Sequence, residues 1–192
     1  MGGGYFSNAG VFLINTVFGL YIGAVVLRFL FQLVRADFYN PLCQAIVAVT
    51  NPPLRPMRRY IPSLRGLDTA SMVLAFVLQC VNTLLVALVL GVQASLVGMV
   101  VIALAELLNK TVWILLAAIL IQVVLSWVAP GAYNPVARVI DQLCEPLMRP
   151  ARRLIPPLGG IDLSPLVPII ALNLILILVV APLRDVGARL FV

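Results

Sequence analysis

Long apolar runs alternate with polar, proline-punctuated stretches along this chain. The first run extends from Ala9 to Val34 and carries Asn15 and Arg28. About 20 apolar residues cross a bilayer as a helix, so this run predicts a span. A polar stretch from Arg35 to Asp68 follows, then a second apolar run from Thr69 to Leu90 that Gly91 breaks. Val92 to Leu108 is apolar but short, and Glu106, Asn109 and Lys110 close it. A further run covers Thr111 to Val128. A second polar stretch runs from Ala129 to Asp162, a last apolar run from Leu163 to Pro182, and a tail carries Arg184, Asp185 and Arg189. The pattern predicts an all-α polytopic membrane protein with about four transmembrane helices, or five if Val92–Leu108 crosses by itself.

The two polar stretches are alike. Tyr39–Asp68 recurs without a gap as Tyr133–Asp162, offset by 94 positions, and 14 of the 30 aligned residues are identical. The chain therefore divides into a first repeat over residues 9–90, a linker, interfacial stretch or helix extension over 91–110, and a second repeat over 111–182. Self-similarity of this kind sets the architecture. Arginines concentrate in cytoplasmic loops of membrane proteins, which favours both stretches on one side, hence four spans and parallel repeats of helix, amphipathic or re-entrant-like Arg-Pro loop, and helix. In that arrangement Val92–Leu108 extends the third span or lies at the interface, and both termini lie outside.

Composition narrows the class. The chain is 62% hydrophobic and 10% charged, against about 45–50% and about 25% in soluble domains. Of the 13 Lys and Arg residues, 9 fall in the two polar stretches. Flanked by apolar runs, they favour anionic lipid headgroups over nucleic acid as partner. Residues 1–15 hold no Lys or Arg, unlike a cleavable signal peptide. The chain has no His, which removes His acid–base catalysis and His ligation of metal or haem. Cys43, Cys80 and Cys144 lack a CxxC spacing and read as small buried hydrophobes. No catalytic residue, metal ligand set or cofactor is expected. Ser71, Ser126 and Ser164 have no His partner, and no span carries paired carboxylates.

Asn40-Pro41 and Asn134-Pro135 read as helix starts, with Asn as cap and Pro at the first helical position. In the second copy Arg138, Asp141, Gln142 and Glu145 recur on one face and Val136, Val139, Ile140 and Leu143 on the other, as in an interfacial helix. The first copy, Leu42–Thr50, is nearly all apolar and is expected to pack against the spans. Pro52 and Pro146 are expected to end these helices, leaving Arg55, Arg58, Arg59, Arg149, Arg152 and Arg153 on a compact, Pro-bracketed element that binds lipid or partners. Fixing membrane orientation is the plainer use of those charges, but orientation needs no proline framework. Asp68 and Asp162 stand where the next helix begins and read as caps, each also within reach of an Arg of its own stretch.

Polar residues inside the spans include Arg28, Gln122, Gln79 and Asn173, with Arg28 aligned to Gln122 and Gln79 to Asn173. Amides in such places most often bond neighbouring helices, whereas an intramembrane Arg points to something more specific. Near the loop end of its span, Arg28 is expected to snorkel to the interface.

The Asn-Pro start, the Pro-x-x-x-Pro-x-Arg-Arg-x-Ile-Pro core and the Gly-x-Asp helix entry, present in both halves, resemble the YggT family (also called YlmG) of small bacterial membrane proteins with chloroplast relatives. The resemblance covers about Gly19 to Pro182. Members commonly carry Thr-Glu/Asp-Pro before the Arg core; here the copies read Thr50-Asn51-Pro52 and Cys144-Glu145-Pro146, so only the second keeps the acid. The resemblance implies roles in osmotic-stress tolerance, division or nucleoid distribution, and assembly of membrane complexes, including cytochrome maturation in plastids, with no enzymatic activity. The expectation is a multi-pass scaffold of the bacterial inner membrane that engages anionic lipid, unidentified membrane proteins and, in one arrangement, further copies of itself. The alternative is a channel or transporter subunit in osmotic or ion homeostasis, with Arg28 and the amides along the path.

Overall fold

The structure is a computed structural model that describes residues 3–64, 66–128, 134–155 and 162–191. Tyr133, Pro156 and Gly160, members of the repeated motif, lie outside the described residues. The elements run α1 (Gly3–Leu33), α2 (Pro41–Tyr60), α3 (Thr69–Leu90), α4 (Leu96–Val128), α5 (Pro135–Leu154), α6 (Leu166–Ile175), a π-helical turn (Leu176–Val180) and α7 (Ala181–Phe191). Among the described residues, four stretches are long and apolar enough to cross a bilayer: Gly4–Leu33, Thr69–Leu90, Leu96–Val128 and Leu166–Phe191. At 1.5 Å per residue each is at least about 33 Å long, enough for a hydrocarbon core of about 30 Å.

Large apolar side chains such as Leu20, Leu120, Ile177 and Leu178 point outward, as lipid-facing residues must. Tyr39 and Tyr60, at the two ends of α2, and Trp127, at the end of α4, are exposed, as amphipathic rings at a headgroup region are. The core lies toward the end that carries α2 and α5. It joins Ile22, Val25 and Phe31 of α1 to Leu74 of α3, Ile119 of α4, Leu54 of α2 and Val139, Leu143 and Met148 of α5.

Gly91 ends α3 in the left-handed region, with φ +67°, and its N–H and that of Val92 bond back to Leu88 O and Ala87 O. Glycine adopts this conformation without a Cβ penalty. The apolar stretch 92–108 neither crosses alone nor lies flat, since α4 runs unbroken from Leu96 and most of that stretch is its first part.

Three sequence expectations need correction. Pro52 and Pro146 do not end their helices: α2 continues through Pro52, Pro53 and Pro56, and α5 through Pro146 and Pro150. An interior proline frees the carbonyl four residues earlier. The one freed by Pro53 belongs to Val49, and Tyr21 of α1 donates its hydroxyl to it at 3.4 Å. Pro52 and Pro56 lie on the exposed side of α2, where solvent can take up the carbonyls of Ala48 and Pro52. Each helix stops only ahead of the later Ile-Pro pair, at Tyr60 and Leu154, because a residue before proline is pushed out of the α region. Val136, assigned to the apolar face of α5, is exposed, while Val139, Ile140 and Leu143 are buried.

The last span does not stop at Pro182. The Ala181 N–H reaches back five residues to Leu176 O, and this π turn absorbs the bond that Pro182 cannot make. The Arg184–Arg189 tail is therefore helix. It packs on the start of α4, where Gly187 sits on Ile102 and Gly98 on Leu190 and Phe191, and Arg184 Nη2 lies 2.8 Å from Glu106 Oε1. A Cβ on Gly98 would fall 2.5 Å from the Phe191 Cα. Gly98→Ala is thus expected to destabilise the detergent-solubilised protein by about 1–3 kcal/mol through overpacking. Gly4→Ala, with open space around it, serves as the control, and thermal unfolding monitored by circular dichroism measures both.

Candidate functional site

The site is built where the two Arg-bearing helices meet the spans. Asn40 caps α2 by accepting the Leu42 N–H on Oδ1 at 3.0 Å, and its Nδ2 donates to the Pro135 carbonyl at the start of α5. The Asp37 N–H donates to Gln142 Oε1 at 3.3 Å. The two Arg-Pro helices therefore sit at the same end of the bundle, in contact. Asn134 caps α5 in the same way, through the Val136 N–H at 2.9 Å, but it is exposed.

In the first half, charge is buried. Asp68 caps α3, accepting from the Ser71 N–H at 3.3 Å and the Ser71 hydroxyl at 2.6 Å. The same carboxylate pairs with Arg58 of α2 and faces Arg28 Nε of α1 at 4.0 Å. Arg28 does not snorkel. It is 4% exposed and turns inward, donating from Nη1 to Thr50 Oγ1 at 2.7 Å and more weakly to Val47 O at 3.4 Å. The Thr50 hydroxyl in turn donates a hydrogen bond to Ile46 O at 2.6 Å. One carboxylate thus ties α1, α2 and α3 together. Burial by itself would raise the Asp68 pKa, but the Ser71 hydroxyl, the Arg58 guanidinium and the Ser71 N–H outweigh it and hold the carboxyl below the usual carboxylate range.

The second half keeps the outline and loses the burial. Arg152 Nε stands 3.9 Å from Asp162 Oδ2, with both side chains about half exposed. Asp162 does not cap α6, whose N-cap is Pro165. It accepts instead from the Ser164 N–H at 2.9 Å, because the Ser-Pro step after it delays the helix and leaves a local turn. Gln122, aligned with Arg28, donates to Asp141 Oδ1 at 2.9 Å, and Asp141 is the counterpart of Val47. Glu145 draws in Arg149 at 3.3 Å and Arg152 at 3.6 Å.

Of the remaining arginines on these helices, Arg55, Arg59, Arg138 and Arg153 are exposed. None of the chain's seven acids, all of which lie among the described residues, pairs with them: the ion pairs among the described residues involve Arg28, Arg58, Arg149, Arg152 and Arg184. The amides other than Gln122 in the spans, Asn15, Gln79, Asn82 and Asn173, form no part of these ion-pair clusters. Gln79 is buried and its Oε1 has no partner among the described residues. Its counterpart Asn173 is exposed and bonds its own helix at Ile169 O, 2.8 Å away. Asn82 and Asn15 join α3 to α1 at 3.2 Å.

Beside Arg28 and Arg58 lies a cavity of about 310 Å³ lined by Arg28, Gln32, Phe38, Gln44, Val47 and Arg58. Sequence reasoning had no signal for Gln32, Gln44 or Val47 as a set, since two separate helices, α1 and α2, bring them together. No group of three or more His, Cys, Asp or Glu residues suited to a metal occurs among the described residues.

Replacing Asp68 with Asn leaves the buried Arg28 without a counter-charge and is expected to cost about 3–5 kcal/mol. Asp162→Asn, at a half-exposed pair, is expected to cost under about 1 kcal/mol. The Asp68 contribution is fully present above about pH 4, where the unfolded carboxyl is also ionised, and is lost as pH falls through the lower folded value. Thermal midpoints measured from pH 7 down to pH 3 should therefore drop toward acid in the native chain, and less steeply in Asp68→Asn. Burial, aided by Asp141, pushes the Cys144 thiol up to about 12, and burial raises Cys43 as well. Maleimide labelling at pH 8 should therefore be slow at both thiols in the folded protein and fast in sodium dodecyl sulfate, as read by intact mass.

The profile of the CCB3/YggT family matches residues 7–89 and again 101–183. An uncharacterised protein of Pseudomonas aeruginosa is 44% identical over 176 residues, covering 91% of this chain and 89% of the relative. A protein of Escherichia coli K12 named "Uncharacterized protein YggT" is 37% identical over 184 residues, 95% of each chain. A shorter likeness, 38% over 55 residues, links 29% of this chain to 22% of "YlmG homolog protein 2, chloroplastic" of Arabidopsis thaliana. No solved structure matches. Two profile matches that together take in most of the sequence, and relatives that align nearly end to end, place this chain in the CCB3/YggT family.

Proposed function

We propose that the chain is a non-enzymatic scaffold of the bacterial cytoplasmic membrane. In this reading α2 and α5 lie against the anionic cytoplasmic leaflet and hold lipid headgroups and partner membrane proteins, in stress tolerance or in the assembly of membrane complexes. The observation that carries it is the division of labour among the arginines. Arg28 and Arg58 are engaged by the buried Asp68 and Arg152 by the half-exposed Asp162, and Arg149 is drawn to Glu145. Arg55, Arg59, Arg138 and Arg153 are left exposed on two joined helices at one end of the bundle. Each such charge near an anionic leaflet contributes about 1 kcal/mol of attraction. A conducting path would have drawn on Arg28, but that guanidinium is engaged by Thr50 and Asp68, which favours the scaffold.

The test uses the full chain purified in a mild non-ionic detergent from bacterial membranes. Replacing Arg55, Arg59, Arg138 and Arg153 by Ala should lower the ratio of anionic to zwitterionic phospholipid that co-purifies, severalfold, with the helical spectrum unchanged. It should also weaken crosslinking to neighbouring membrane proteins. An unaltered lipid ratio and crosslink pattern would count against the scaffold.

A further inference from the structure

The cavity beside Arg28 belongs to the first half, and two of its lining positions are occupied by residues of another kind in the second. Two guanidinium groups, Arg28 and Arg58, line it, together with the carboxamides of Gln32 and Gln44, the ring of Phe38 and the side chain of Val47. No carboxylate lines it. Asp68 lies outside the lining and is the one acid that pairs with either arginine, so two positive charges share one negative charge. Arg28 carries five N–H donors. Its Nη1 is used by Thr50 and Val47, its Nε faces Asp68, and its Nη2 has no acceptor among the described residues. An excess positive charge at a nearly buried guanidinium is costly unless an anion joins it. The cavity mouth reaches the surface, since Gln44 and Arg58 are exposed and Phe38 is partly so.

In the second half the positions of Arg28 and Val47 are taken by Gln122 and Asp141, which bond each other. A cation has become a neutral amide and an apolar wall has become an acid. The second half therefore offers no guanidinium at the Arg28 position, although Arg138 and Arg152 stand at those of Gln44 and Arg58.

We propose that the cavity is a single anion-binding site for a phosphate group, presented by a phospholipid headgroup at the membrane surface. Planar guanidinium groups suit phosphate oxygens. Gln32 and Gln44 each donate one amide N–H to a backbone carbonyl, Gly66 O at 3.5 Å and Tyr39 O at 3.1 Å, and keep a second N–H for the ligand. Phe38 and Val47 give an apolar flank for the carbon atoms next to the phosphate. The site deepens the scaffold reading, because the headgroup would come from the leaflet against which α2 and α5 rest.

The experiment measures binding to the full chain in non-ionic detergent by native mass spectrometry and calorimetry. The probes are inorganic phosphate, short-chain phosphatidylglycerol and short-chain phosphatidylcholine. Arg28→Gln and Val47→Asp each copy the second half, and Val47→Asp leaves the Arg28–Asp68–Arg58 cluster in place. Saturable binding of one phosphatidylglycerol per chain is expected, weakened at least tenfold by either substitution, with phosphatidylcholine bound more weakly. Phosphate that competes at the same site identifies the phosphate group itself as sufficient; lipid binding without phosphate binding shows that the headgroup must come on its lipid. The fourfold Arg55, Arg59, Arg138 and Arg153 variant is expected to keep this single site while losing its bulk anionic lipid, so the two proposals fail separately. Absence of saturable binding by phosphate and phosphatidylglycerol alike, or binding that survives Val47→Asp undiminished, overturns the assignment.

Discussion

One carboxylate organises the first half of this protein. Asp68 starts α3, takes the Arg58 guanidinium from α2, and stands opposite Arg28 of α1. Each of those interactions depends on the others. Without the two arginines an acid 3% exposed would be too costly to ionise. Without the acid, Arg28 would carry its charge unpaired in an apolar span. The cluster fixes where α2 leaves the bundle, and hence the direction in which Arg55 and Arg59 project. Hydrophobic packing of Ile22, Val25, Leu54 and Leu74 supplies the bulk of the contact in the same region. It does not select a register by itself, since apolar helices in lipid can slide past one another with little change in burial.

Local chemistry was legible in the sequence wherever the cause was local. Asn-Pro announces a capped helix start because the Asn side chain bonds a backbone N–H two residues on, and both Asn40 and Asn134 do so. Four spans follow from the lengths of the apolar runs, and Gly91 from its left-handed turn. The misreadings at prolines have separate causes. Pro52 and Pro182 look like helix ends by local rules, but solvent can take up the carbonyl that Pro52 frees and a π turn absorbs Pro182, while Tyr21 of another helix serves the neighbouring Pro53. Arg28 looked free to reach the interface because its true partners, Thr50 and Asp68, are 22 and 40 residues away along the chain. The cavity was invisible for the same reason.

The two halves differ in a consistent direction. Between Pro41 and Tyr60 there are three arginines and no acid; between Pro135 and Leu154 there are four arginines and two acids. The added acids are not idle. Asp141 satisfies Gln122, and Glu145 draws in Arg149 and Arg152. The first helix is therefore the more electropositive surface and the second the more self-contained, although both begin with the same cap and end before the same Ile-Pro pair.

Asn40 has a consequence of another kind. Its side chain reaches across to Pro135, while Asn134 makes no matching reach toward Pro41. Two identical subunits around a dyad would have to make such a contact twice or not at all. Joining both halves in a single polypeptide lifts that restriction. One half is then free to act as receptor while its sibling serves as a brace, a specialisation that a symmetric pair of half-length chains could not evolve one residue at a time.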